Sequence, residues 1–156
     1  KMNDTYFIEI YEAHKTPVFR LAYSYLKTRE HAEDVMQSVF FKFYKNPPKD
    51  ESNIPAYLAV MTKNLSIDVL RKNKREIEAA KKMQRENEIF STREETPDIL
   101  FFVDKLPEKY KTVIKMYYYG DLSVKETAFA LKKSEASVKK TLERARNKLK
   151  QIMEDD

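Results

Sequence analysis

Residues 106–149 read LPEKYKTVIKMYYYGDLSVKETAFALKKSEASVKKTLERARNKL, and the punctuation of this stretch decides the fold. Ser123, Val124, Lys125 and Glu126 have capping-box spacing, in which the serine oxygen takes an orphan amide of the first turn and Glu126 reaches back to the serine amide. A helix therefore starts there. Val124, Thr127, Ala128 and Leu131 mark one of its faces, and Lys132-Lys133-Ser134 closes it while offering Ser134 as the next cap. Val138, Leu142, Ala145, Leu149 and Ile152 form the apolar stripe of a second, longer helix. Its other side carries Lys139, Lys140, Glu143, Arg144, Arg146, Lys148 and Lys150. Two helices joined by so short a turn cross steeply, which leaves the first turns of the second free to enter a DNA major groove. The same charges also fit a solvated helix face, so periodicity alone does not separate the two readings.

Working outward, the chain has one glycine in 156 residues, Gly120. Hairpin turns and phosphate-cradling loops depend on glycine, so hairpin-rich folds, Walker loops and dinucleotide-binding turns are excluded and an all-α architecture is expected. There is no cysteine, hence no disulfide frame or thiolate metal site, and His14 and His31 lack metal-ligand spacing. No metal, cofactor or catalytic pair is expected, and no enzymatic activity. With 30 Lys and Arg against 25 Asp and Glu, the net charge of +5 suits a polyanionic partner. No apolar run approaches the ~20 residues of a membrane span, and no signal-peptide core is visible. A soluble, cytoplasmic protein without membrane insertion is the expectation.

Before the opening stretch, four apolar stripes precede a charged segment. Tyr6, Phe7, Ile10 and Tyr11 form the first; Val18, Leu21, Ala22, Tyr25 and Leu26 the second, with Pro17 between them as a point of helix restart. Ala32, Val35, Met36, Val39, Phe40 and Phe43 form the third, stopped by Asn46-Pro47-Pro48. Its outer side presents Glu33, Asp34, Gln37, Phe41 and Lys42; Phe41 either packs under a neighbouring helix or belongs to a partner surface. The fourth starts near Pro55 and runs through Tyr57, Leu58, Met61, Leu65 and Val69 to the cations Arg71, Lys72, Lys74 and Arg75. Cations complement a helix C-terminus, but this many exceed that need and point to phosphate contacts, with Lys63, Asn64 and Asp68 of the same helix expected to face the same ligand. Residues 76–98 read as a charged linker, part helical around Ala79 to Glu88, with Pro97 near its end. Ile99, Leu100, Phe102, Val103 and Leu106, with Val113, Met116 and Tyr117, make a second small core. Three segments follow: a helical domain over 1–75, the linker over 76–98, and a helix-turn-helix domain over 99–156.

The order of these segments resembles the extracytoplasmic-function (ECF) sigma factors of the bacterial sigma-70 family, over nearly the whole chain. HAEDVMQSVFFKFYK is similar to the family's polymerase-binding helix, AYLAVMTKNLSIDVLRKNKR to its promoter-melting and minus-ten-reading helix, and residues 106–149 to its minus-thirty-five-reading domain. The resemblance implies an alternative sigma factor that brings core RNA polymerase to promoter DNA, under the control of an anti-sigma factor. It implies that Asp34 and Gln37, with Glu33 and Phe41, dock the large polymerase subunit. It places Asn64 where the family holds a base flipped from the non-template strand, with Lys63, Arg71, Lys72 and Arg75 neutralising phosphates of the opened minus-ten element. Lys139, Lys140, Glu143 and Arg144 fall at the exposed start of the recognition helix. Glu143 either accepts from a cytosine amine or pairs with Lys139 or Lys140. Two departures stand out: Lys132-Lys133 replaces the glycine common in the turn, which asks a lysine to adopt a left-handed or distorted turn, and Tyr57 stands where many relatives have tryptophan. A stand-alone dimeric helix-turn-helix regulator is the alternative, and a dimer interface with polymerase-independent DNA binding would mark it.

Overall fold

A computed structural model describes residues 2–76, 78–79, 82–83 and 99–155, and every described element is helical. Helices α1 (Asp4–Leu26), α2 (Arg29–Lys45) and α3 (Ile54–Lys72) form one unit, with a short 3-10 turn at Glu51–Asn53 leading into α3. The second unit comprises α4 (Ile99–Val103), α5 (Glu108–Ile114), a π-helical turn at Lys115–Tyr119, α6 (Val124–Leu131) and α7 (Glu135–Asp155). Of the segment read as a linker, Glu76, Glu78, Ala79, Lys82 and Met83 are helical; the rest of it, including Pro97, lies outside the described residues. Among the described residues no helix is long and apolar enough to cross a membrane.

Local chemistry sets most boundaries. Asn3 caps α1 by accepting from the Thr5 amide at 2.7 Å, and Thr28 caps α2 by accepting from the His31 amide at 3.3 Å. Pro55 sits in the first turn of α3, where its missing N–H costs nothing. The predicted capping box of α6 is present, Ser123 Oγ accepting from Glu126 N at 3.0 Å and Ser123 N donating to Glu126 Oε1 at 2.8 Å. Ser134 accepts from Ser137 N at 3.0 Å and starts α7. Lys132 ends α6 in the left-handed region at φ 57°, as its place in the turn requires.

The first unit's core joins Val18, Leu21, Ala22 and Leu26 of α1 to Val35, Val39, Phe40 and Phe43 of α2 and Ile54 and Leu58 of α3. Burial of each large side chain here contributes roughly 1.5–3 kcal/mol. The second core gathers Val103, Leu106, Val113, Ile114, Ala128, Val138, Leu142 and Ala145.

Three expectations are corrected. The first two stripes belong to one continuous helix that runs through Pro17. Proline removes a helix bond to the carbonyl four residues earlier; that residue, Ala13, is exposed, so water can take its carbonyl while the shared buried face holds the helix together. Ile99 is 46% exposed and no part of the second core. Met116, expected in the second core, is fully buried in the first, together with Leu122. The two units therefore do not stand apart: the π-turn packs on α1, and α6 packs on α3.

Gly120 explains part of that contact. Its φ is −79°, so no left-handed geometry demands glycine. A Cβ there would lie 2.8 Å from the Met116 carbonyl oxygen and 3.4 Å from Leu21 Cδ2, which makes it a close-approach glycine.

Candidate nucleic-acid interface

Helix α7 is fixed by Val138, Leu142 and Ala145, each at most 2% exposed. Its 3.6-residue period then turns Lys139, Lys140, Glu143 and Arg144 outward, and all four are exposed. Among the described residues Glu143 forms no ion pair with Lys139 or Lys140, which leaves its carboxylate available as an acceptor. Ser134 and the left-handed Lys132 set the angle at which α7 leaves the turn.

On the first unit, Thr62 and Ser66 are buried and so roll Lys63, Asn64 and Arg71 toward the surface beside α2. These three, with Lys42, Met61 and Asp68, line a groove of about 580 Å³. Arg71 continues into an adjoining hollow of about 360 Å³ shared with Lys72, Lys74 and Arg75. Lys72 pairs with Asp68 at 3.1 Å, both well exposed, so that pair contributes little to stability and leaves the lysine free to exchange partners. The predicted minus-ten set is thus one continuous surface, with an apolar floor from Met61, Leu65 and Ile67 and cations along its length.

The third set lies on α2, opposite Ala32, Val35 and Val39. Asp34 and Gln37 are exposed, and Glu33 is tied to Arg29 at 3.3 Å. Phe41 is 61% exposed, with Lys45 Nζ 5.1 Å from its ring centroid. Among the described residues no neighbouring helix covers it, so it does not pack under one.

A fourth feature escaped the sequence reading. Lys63 of α3 and Lys140 and Arg144 of α7 line one cleft of about 420 Å³, together with Lys109, Lys133, Ser137 and Thr141 and with no carboxylate. Lys109 follows a proline start and carries no periodic signal; the packing of α5 on α7 makes it part of a basic wall, which Lys63 of the first unit joins.

The units meet around a buried charge. Lys115 is 2% exposed; its Nζ donates to the Ser24 carbonyl at 2.8 Å, lies 2.9 Å from Asp104 Oδ1 and sits 4.1 Å from the Tyr25 ring centroid. Lys27 donates to the same Ser24 carbonyl and pairs with Asp104 Oδ2 at 2.6 Å. Burial pushes the Lys115 ammonium down from 10.5 to about 8, with Lys27 adding to the shift and Asp104 opposing it. Burial also pushes the Asp104 carboxyl up, but Lys115 and Lys27 outweigh it and hold the group below the usual carboxylate range. Nearby, Arg20 Nη2 donates to the Tyr118 carbonyl at 3.2 Å.

Comparison with known proteins gives two family matches in order: residues 10–76 match the model described as Sigma-70 region 2, and residues 98–149 the model described as Sigma-70, region 4. Among curated relatives, the chain is 29% identical to the ECF RNA polymerase sigma factor SigM of Bacillus subtilis (strain 168), covering 92% of this chain and 93% of the relative. It is 30% identical to the RNA polymerase sigma factor SigV of the same organism, covering 85% of this chain and 81% of that one. It is 32% identical to the sigma factor SigZ there, covering 78% and 72%. Two solved structures share the fold. One is the sigma factor RpoE in complex with the anti-sigma factor NepR from Bartonella quintana, with TM-score 0.67 and 19% identity over 96% of this chain and 98% of that one. The other is CnrH in complex with the cytosolic domain of CnrY, with TM-score 0.70 and 20% identity over 99% of this chain and 91% of that one.

Proposed function

The chain belongs to the ECF sigma factors of the sigma-70 family, an alternative sigma factor directing transcription, and from that premise we propose how its residues divide the work. The first unit binds core polymerase and opens the minus-ten element; the helix-turn-helix unit reads the minus-thirty-five element; the charged segment between them is the tether. The observation that carries this reading is that each unit presents its own exposed polar set on a helix anchored by buried side chains, in the same order as the two family regions.

Lys139, Lys140 and Arg144 donate to guanine edges or phosphates, and Glu143 can only accept, from a cytosine amine. A well-made bidentate contact of this kind discriminates by roughly 1–3 kcal/mol. In the first unit, Asn64 holds a base extracted from the non-template strand. Extraction costs a few kcal/mol, offset by the apolar floor under the base and by Lys63, Arg71, Lys72 and Arg75 along the strand. Glu33, Asp34, Gln37 and Phe41 form the polymerase contact, a ring with carboxylates and amide around it.

Neither unit buries enough on DNA to hold a promoter alone, and phosphate contacts are lost steeply with salt. Docked on polymerase, the two sites act at high effective concentration on one promoter. Sigma factors are non-catalytic initiation factors, and we assign no chemistry of its own to this chain. It works where polymerase does, in the cytoplasm, and an anti-sigma protein covering the α2 face would silence it; one fold neighbour, RpoE, is a complex with the anti-sigma factor NepR. A dimeric regulator is not favoured, since region 2 and region 4 lie in one chain.

The test is run-off transcription with purified bacterial core polymerase on genomic fragments, with and without the protein. New starts sharing two upstream elements are expected. No new starts, with tight polymerase-independent binding to a palindrome in a gel shift, would overturn the assignment.

A further inference from the structure

The basic cleft differs in charge from the other hollows of the molecule. The two on α3 include Asp68 and Glu76, the crevice beside Gly120 has Asp121 and Glu126, and the apolar hollow between α4 and the end of α7 has Glu154. Lys63, Lys109, Lys133, Lys140 and Arg144 converge on one cleft of about 420 Å³ with no carboxylate in its lining. Among the described residues none of the five forms an ion pair. The contrast is plain on α5, where Lys111 takes Glu108 at 3.6 Å while Lys109 has the ring of Tyr110, its centroid 5.3 Å from Nζ. Like charges on a concave wall repel one another and focus their field into the space they enclose.

The walls of the cleft are fixed by buried side chains. Thr112 and Val113 of α5 and Val138 of α7 line it, each at most 8% exposed. Ser137 and Thr141 add hydroxyls one turn apart on α7. Ser137 lies in the first turn of that helix, where the dipole is positive and favours an anion beside the cations. The volume falls within the roughly 300–1,000 Å³ of small-molecule sites and excludes a duplex.

We infer that this cleft is a binding site for a small linear polyphosphate, the inorganic chain or the phosphate arm of a nucleotide. Such a chain carries several negative charges along a short length and meets cations from both units at once, whereas a single phosphate meets one or two. Arg144 offers a planar fork to two oxygens, the lysines act as point charges, and the hydroxyls donate to the remaining oxygens. No carboxylate has to be displaced. The site stands independently of the sigma-factor reading, but its consequence rests on that reading: with Lys140 and Arg144 engaged by polyphosphate, ligand and promoter compete for the same side chains.

The test is titration calorimetry of the full-length protein with sodium tripolyphosphate, in magnesium-free buffer at fixed ionic strength, beside orthophosphate and sulfate. Saturable binding of one chain per protein is expected, at least about tenfold tighter than either small anion, because linked phosphates act at high effective concentration. Lys109→Gln and Lys133→Gln, at exposed positions, should each weaken it about fivefold, the upper range for a partly screened ion pair. Lys63→Gln, from the other unit, should do the same. Lys148→Gln, a cation of α7 outside the cleft, should leave affinity unchanged, with parent-like circular dichroism in every variant. Titration with ATP separates the sources: binding as tight as tripolyphosphate or tighter supports the nucleotide arm, and weaker binding supports the inorganic chain. Heats that never saturate, or a loss in Lys148→Gln equal to that in Lys109→Gln, mean adsorption by net charge and overturn the site. Unchanged affinity in Lys63→Gln puts the ligand on α7 alone and also overturns it. Competition is read separately, by the anisotropy of a labelled duplex. Tripolyphosphate should release the duplex from the parent, and the Lys109→Gln/Lys133→Gln double variant should need severalfold more. Saturable binding in the cleft with no release of duplex keeps the site and counts instead against the assignment of Lys140 and Arg144 to DNA.

Discussion

Asn64 and Arg144 stand on different units, and their loss should be felt at different steps. Asn64→Ala should leave closed-complex affinity within about twofold and slow promoter opening at least tenfold, about 1.4 kcal/mol, read by the fluorescence of 2-aminopurine in the minus-ten element. Lys139→Ala and Arg144→Ala should weaken duplex recognition instead, and each lost phosphate contact should lower the salt slope of binding by about 1. Equal loss at both steps for all three would contradict the division of labour. Gly120 is the other informative residue. Gly120→Ala places a methyl 2.8 Å from the Met116 carbonyl oxygen, and the resulting shift should cost roughly 1–3 kcal/mol in urea unfolding. The sequence singles this glycine out by its rarity, but its use, a close approach at a negative φ, is visible only once Leu21 and Met116 are in place.

At the scale of elements, the helix-turn-helix was legible to its caps. Ser123, Glu126 and Ser134 make local hydrogen bonds whose partners lie within three residues, so their spacing alone specifies them. Ser123→Ala should cost about 1 kcal/mol and increase amide exchange in the first turn of α6. Lys132 occupies a left-handed C-cap at φ 57°, a conformation that costs a residue with a Cβ roughly 1 kcal/mol. Lys132→Gly should recover about that much, seen as a higher midpoint in thermal unfolding, and an unchanged or lower midpoint would count against strain in the turn. The restart expected at Pro17 failed for a different reason. A proline weighs against a helix locally, whereas Phe7, Ile10, Val18 and Leu21 all pack on the same core, and burial outweighed the lost bond.

At the scale of the molecule, the interface between the units predicts a dependence on pH. Lys115 is faced by Lys27 and Tyr25 from α1 and by Asp104 and Lys111 from its own unit, with Glu108 near Tyr25. Its value in the packed interface, about 8 against 10.5, means that forming this contact favours loss of a proton. The stability of the folded protein should therefore rise as pH climbs from about 8 toward 10.5 and be insensitive to this lysine below that window. His14 lines the crevice beside Gly120 and Asp121, and burial holds its value below 6.5 despite the opposing Glu126. Its protonation disfavours the packed form, so stability should fall as pH drops below 6.5. Urea unfolding followed from pH 5.5 to 9.5 checks both directions, and a flat profile would contradict them. The sequence by itself determined the all-helical class, the order of the units, the caps and which side chains of α2, α3 and α7 face outward, because caps and 3.6-residue stripes are encoded within a few residues. It could not determine which core each stripe joins. Met116 crosses to the first core, and Lys115 reaches a carbonyl 91 residues away, because a stripe records that a face is buried and is silent about what buries it. Only packing in three dimensions decides that, and with it which surfaces of the two units lie side by side.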